Sequence, residues 1–342
     1  MLGAFIAWVT KEINLWCNKN KYLSRYNYYL GFFYILCNSL LNLHVFVKLL
    51  PRRRPVFFLI DNFGFYQRPG NFIIINTFLI AYCYFNIQSN NKKNYLLDFF
   101  YFSYFIITIL LIQFVGSNNG FLGVFGILFL SIVYKYFLLN ENKNEQKAFV
   151  SEDKPKIINK CILSCFKKLG LISVCLFVIL FLFFTAFRSL MPPIRILHYN
   201  LNEEYNPLDD RLTMLRENFS PQLSVNPIMG NMDADNIISG KGTYVHSFIL
   251  SMMTHIGIVG LILFFLYFFS AVFEYYKSLH YSKNYKSFYL KLFVFLITIF
   301  IFLMANIASF FSWNPIWFVL GFSFPAIYYQ KNRIKDDCTK LE

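Results

Sequence analysis

Ser247–Phe273 reads SFILSMMTHIGIVGLILFFLYFFSAVF and contains no Asp, Glu, Lys or Arg. A helix crosses the roughly 30 Å hydrocarbon core of a bilayer with about 20 mostly apolar residues, so this stretch predicts a membrane span. Working outward from it, seven more stretches have the same character: 26–50, 71–87, 95–115, 119–139, 169–187, 289–311 and 313–329. Met1–Val9 is apolar but short and is closed by Lys11 and Glu12. It lacks the basic n-region of a signal peptide, so it reads as an interfacial helix or the stub of a further span. The expected fold class is an all-α polytopic integral membrane protein with about 8–9 transmembrane helices.

Composition excludes the main alternatives. The 342 residues are 57% hydrophobic, 21% aromatic and 15% charged, whereas a soluble domain carries roughly 25% charged residues. Forty-four Phe and 24 Tyr are more apolar bulk than one soluble core of this length can hide. A disordered chain, a disulfide miniprotein and a cytosolic globular enzyme are therefore ruled out.

Orientation follows from lysine and arginine in the short loops. Segment 140–168 holds Lys143, Lys147, Lys154, Lys156, Lys160, Lys167 and Lys168 and is expected on the cytoplasmic side. Lys92 and Lys93, segment 274–288 and the tail after residue 330 agree with it in parity. The long hydrophilic stretch 188–245 then lies outside, as do 51–70 and the Gly116–Asn118 turn. Arg52, Arg53 and Arg54 run against the rule: either they serve the outer face, or the first span is misplaced. Three regions result: an N-terminal bundle at 1–187, a large outer loop at 188–245, and C-terminal helices with a cytoplasmic tail at 246–342.

The charge, +14 overall, is unevenly sorted. The loop 188–245 holds five basic and seven acidic residues, net −2, so the rest of the chain carries +16. Eight of the ten arginines (Arg52, Arg53, Arg54, Arg68, Arg188, Arg195, Arg211 and Arg216) fall in the two segments assigned outside. Of the lysines, Lys241 alone does. Lysine marks the inner side, and arginine gathers on the outer side. Charge spread over membrane-flanking loops in this way does not point to nucleic acid.

Other patterns carry less. None of the seven cysteines lies in 188–245, so that loop has no disulfide framework. Cys161 and Cys165 have no His partners, which argues against a metal site. Asp233-Ala234-Asp235 has the form of a metal-holding pair, but it reads as a solvated acidic loop. No internal repeat, phosphate-binding glycine loop, dinucleotide fingerprint or Ser/His/Asp order is present.

The functional chemistry is expected where the outer loop meets the membrane. There the chain reads Gly240-Lys241-Gly242-Thr243-Tyr244-Val245-His246 and passes straight into the apolar stretch. At 100° per residue Gly257 and Gly260 share the face of His246 to within about 40°, and small residues on one stripe let another helix approach closely. His255 then falls on the opposite face. His198 is a competing outer histidine; His44 and His280 read as structural or solvated.

These residues carry a family resemblance. His246-Ser247-Phe248 followed by Gly257-Ile258-Val259-Gly260-Leu261 resembles the His-Asn … Gly-Ile-Ile-Gly-Leu signature of the O-antigen polymerase and O-antigen ligase superfamily. Arg211-Leu212-Thr213-Met214-Leu215, then Asn226-Pro227-Ile228-Met229-Gly230, resembles its Arg … Trp … Asn-Pro-Leu-x-Gly stretch. Gly64–Phe72 resembles its Gly-x-Phe … Pro-Asn motif, and Gly116-Ser117-Asn118-Asn119-Gly120 sits where members have Ser-Arg-Gly. The likeness spans roughly residues 60–275. Three positions depart: Asn118 replaces an arginine, Leu215 a tryptophan, and His255 the acidic residue two before the first helix glycine.

The resemblance implies a GT-C-like membrane glycosyltransferase of the bacterial inner membrane, multi-pass, with its site on the periplasmic side. Such enzymes take a glycan from undecaprenyl pyrophosphate, lie among membrane lipids, and work beside a flippase and a chain-length regulator. They need no cofactor and no metal. The catalytic expectation is His246 as base toward the acceptor hydroxyl and Arg211 as clamp on the pyrophosphate, because arginine binds phosphate oxygens bidentately and stays charged. Arg216 is secondary, since five residues along a helix turn it to another face. Arg68, Arg195 and Asn118 complete the substrate-binding set, with Arg68 or the Arg52–Arg54 cluster taking the place of the arginine missing at Asn118. That missing arginine favours a polymerase over a ligase that passes glycan to the lipid A core. A flippase or transporter is the reading from another class. Its usual marks are repeats and mid-membrane ionisable groups, and the acidic residue deepest in a span, Asp98, lies near an end.

Overall fold

A computed structural model describes residues 21–49, 67–90, 95–115, 117–139, 215–233, 247–280, 285–308 and 314–322. The described residues form helices and turns, with no strand among them. The helices are α1 (Lys21–Leu49), α2 (Gln67–Asn90), α3 (Tyr95–Val115), α4 (Asn118–Leu139), α5 (Ser220–Val225), α6 (Phe248–His280), α7 (Tyr285–Ala308) and α8 (314–322). A π-helical turn, Leu215–Phe219, leads into α5. This is the architecture of an all-α membrane protein. Tyr28–Lys48, Gly70–Gln88, Tyr95–Val115 and Phe248–Lys277 are long and apolar enough to cross a membrane, and Asn119–Lys135 and Leu290–Asn306 are shorter apolar helices. The expected span 169–187 lies outside the described residues, and of 313–329 only 314–322 is described.

Packing fixes the helix directions. Gly31 faces Ile87 and Phe46 meets Phe114, so α1 runs against α2 and with α3. Phe85 and Tyr134, late in α2 and α4, meet Phe293, early in α7. Gly126, earlier in α4, faces Phe300, later in α7. Helix α7 therefore runs against both. Tyr275 donates to the carbonyl of Lys291 at 3.1 Å and Phe268 stacks on Phe302 at 4.3 Å, so the later part of α6 runs against α7. The starts of α2 and α4 and the ends of α1, α3 and α7 thus share one end of the bundle, here called the upper end.

Two seams hold the first four helices. Across α1, α2 and α3, Tyr34 donates to Asn76, Asn76 donates to Asn38 at 2.9 Å, and Asn42 donates to Thr108 at 2.8 Å. Polar side chains bridging helices in this way hold apolar bundles together where water drives nothing. Near the opposite, lower end Asp98 accepts from Tyr84 at 2.6 Å and from Gln88 at 2.7 Å. It also pairs with Lys135 at 2.9 Å, and that ammonium lies over the Phe102 ring. The acidic residue singled out in the sequence is thus neutralised inside the bundle. Between the seams the core is aromatic, with Tyr84 stacked on Tyr101 at 3.8 Å and Phe85 against Tyr134 at 4.1 Å.

Helix α6 departs from expectation. It is not one straight span, because Gly257 has φ 69° and ψ −178°. The rings of Phe248 and Phe264 lie 5.5 Å apart, yet sixteen residues of straight helix would separate them by about 24 Å. The chain therefore doubles back at Gly257. A short arm, 248–256, returns to the level of Phe264, where Trp317 of α8 meets both rings. The longer arm, 258–280, continues down the bundle.

Candidate functional site

The turn ahead of the reversal is built by its sequence. Asn226 uses its side-chain oxygen to accept from the amide of Met229 at 3.2 Å and its carbonyl to accept from Gly230 at 2.8 Å. Pro227 sets its own φ, and Gly230 takes φ 73°, a conformation that glycine adopts without the strain a side chain brings. Asn231 closes a second small turn by accepting from the amide of Asp233 at 2.9 Å.

This turn fills the break in α6. In an uninterrupted helix the amides of Ile258 and Val259 would bond the carbonyls of Thr254 and His255. Instead Ile258 donates to Pro227 at 3.0 Å and Val259 to Ile228 at 3.2 Å, while the Thr254 carbonyl accepts from Asn231 at 2.8 Å. Three of the groups that the reversal takes out of the helix ladder, the amides of Ile258 and Val259 and the carbonyl of Thr254, are thus bonded from outside, as polar backbone at such a break requires. The approach leaves no room for side chains. A Cβ on Gly257 would meet the carbonyl oxygen of Ile228, and one on Gly230 would meet the amide nitrogens of Ile256 and Gly257. Gly257 therefore serves this contact and not the helix–helix stripe expected from a continuous wheel, so its relation to the face of His246 no longer follows. At Gly260, the neighbour of an added Cβ is the Ile256 side chain across the reversal.

The short arm is polar on its inner side. Ser251 and Thr254 are each 1% exposed and His255 is 8% exposed. Nδ1 of His255 lies 2.7 Å from the carbonyl of Ser251, which also accepts from the Thr254 hydroxyl at 3.0 Å. A carbonyl can only accept, so this partner places a proton on Nδ1. The arm starts beside the end of α7, where Ile249 donates to Asn306 at 3.1 Å. His255, read from the sequence as pointing to the opposite face, is thus a buried and oriented part of the reversal.

A second close approach lies at the upper end. Ser117 caps α4, accepting from Gly120 at 3.1 Å through its hydroxyl and from Phe121 at 2.9 Å through its carbonyl. A Cβ on Gly70 would collide with the Ser117 hydroxyl. The motif-bearing stretches Gly64–Phe72 and Gly116–Gly120 therefore touch through Gly70 and Ser117. Arg68 lies in the first turn of α2 and Asn118 opens α4, so both positions belong to this end. The longer arm of α6 also descends from it, which puts the Asn226–Asn231 turn there too. Arg216 is exposed on the π-helical turn. His246, Arg211 and Arg195 lie outside the described residues, as do Arg52–Arg54, His198 and Asp235.

What sequence reasoning missed was the reversal, and one signal was available. Ser247–Phe273 is longer than a single crossing needs, and its two glycines sit near its middle. Together, fold and site define an all-α membrane protein whose short re-entrant helical arm is bonded by a turn from the preceding loop. No family model matches the chain, and neither the curated proteins nor the solved structures contain a match.

Proposed function

We propose that the protein is a surface-polysaccharide polymerase of the bacterial inner membrane, acting at the periplasmic face on undecaprenyl-pyrophosphate-linked glycan. The supporting observation is the docking of Asn226–Gly230 on Gly257. These are two of the stretches that carry the resemblance, about thirty residues apart in the chain, and they meet backbone to backbone. The Gly70–Ser117 contact between the other two, at the same end of the bundle, supports the same reading.

In the proposed reaction the bond from the glycan's anomeric carbon to the pyrophosphate oxygen breaks. A new bond forms from that carbon to the hydroxyl oxygen of a second lipid-linked repeat unit. Negative charge grows on the departing pyrophosphate, and Arg211 meets it with a fixed positive fork, an effect strongest in a partly dry cleft. His246 takes the proton that the acceptor hydroxyl loses. Arg216, Arg195 and Arg68 add positive charge along the lipid pyrophosphate, and Asn118 offers an amide to the glycan. A flippase supplies the repeat unit, and a chain-length regulator limits the product.

The test is the glycan banding pattern of a deletion strain complemented with variants. Wild type should restore long chains, whereas His246→Ala and Arg211→Ala should remain in the membrane yet leave single repeat units. Long chains from both variants would overturn the site assignment. Glycan joined to lipid A core solely in the presence of the gene would make the protein a ligase instead.

A further inference from the structure

The turn that fills the reversal has an unusual surface. Val225, Ile228, Met229 and Met232 are between 53% and 71% exposed within eight residues. Large apolar side chains clustered in an exposed loop mark an interaction surface. The backbone beneath them is not open to water in the usual way. Pro227 has no amide hydrogen, the amides of Met229, Gly230 and Asn231 are bonded, and the carbonyls of Asn226, Pro227 and Ile228 accept bonds. Pairing of these six groups lowers the penalty that the segment would meet in an apolar medium.

Its position gives the medium. Ile228 bonds Val259, itself exposed, and the exposed apolar face continues down the longer arm at Ile262 and Leu266. Residues 258–277 number about 20, the length that crosses the hydrocarbon core, so the turn sits where that crossing begins. The flanking residues Arg216, Glu217 and Asp233 are charged and exposed, as suits the headgroup side of such a boundary.

We infer that the Val225–Met232 segment lies in the membrane interface, with Ile228, Met229 and Met232 immersed among the lipids of the leaflet at the upper end. The loop is then a lipid-seated anchor, and it ties the α6 reversal to the bilayer surface.

The experiment uses the full chain without its native cysteines, reconstituted in phosphatidylcholine/phosphatidylglycerol vesicles. Met229→Cys, and separately Met232→Cys, carries an environment-sensitive dye; Glu217→Cys is the aqueous control. Immersion predicts blue-shifted emission at 229 and 232 and loss of intensity with lipids spin-labelled near the headgroup, exceeding the loss with lipids labelled at the chain end. The control should stay red and respond to a water-soluble quencher. Water-like emission at both loop positions would overturn the inference. So would blue-shifted emission indifferent to lipid quenchers, because the strip would then be covered by protein. Neither result bears on the glycan banding test.

Discussion

Two parts of the molecule solve the same problem by different means. The α1–α4 part keeps regular helices and joins them through side chains, at the Asn38–Asn76 seam and at the Asp98–Lys135 pair. The α6 part gives up its regular helix and joins a turn through the main chain, at Ile258, Val259 and Thr254. Side-chain seams consist of separate bonds, so each can be removed at moderate cost. The main-chain seam depends on two glycines whose conformation and clearance no other residue reproduces. The first arrangement suits a scaffold. The second holds two remote stretches of chain in one fixed relation, as a site requires.

Substitutions should expose this contrast. The largest effect is expected for Gly257→Ala, which places a side chain at positive φ against the Ile228 carbonyl and should cost about 2–4 kcal/mol. Melting of the detergent-solubilised protein measures it, and full stability would deny the docked turn. Lys135→Met should come next, leaving the Asp98 carboxylate without its cation at about 1–3 kcal/mol. Adding Asp98→Asn to that variant should recover much of the loss in the same melting assay. Asn76→Ala, which removes one member of a shared network, should cost about 1 kcal/mol. Arg216→Ala should change stability by less than about 0.5 kcal/mol, since the side chain is exposed. Under the proposed function, its effect should instead appear as shorter glycan chains.

Much of the bundle was legible because hydropathy and helix length are local properties. The stretch 95–115 is Tyr95–Val115, 119–139 is Asn118–Leu139, and 289–311 overlaps Tyr285–Ala308. The reversal was not legible, because a helical wheel assumes helical φ at every step and Gly257 breaks that assumption at one residue. The relation of Gly257 and Gly260 to His246 fails with it, because the wheel that joined them runs through the break. The likeness in Asn226–Gly230 and in Gly257–Gly260 was visible in the sequence, but their meeting was not. It is made by main-chain bonds, which leave no mark in side-chain periodicity beyond the two glycines they require.

The reversal at Gly257 is the claim on which the site rests, and cross-linking tests it most directly. In a chain without native cysteines, Phe248→Cys and Phe264→Cys are introduced together and treated in membranes with a short bifunctional thiol reagent. The doubled-back chain predicts an efficient intramolecular cross-link, because the two rings lie 5.5 Å apart. A continuous helix would hold these positions about 24 Å apart. Absence of the cross-link in protein that remains folded and active would contradict the account.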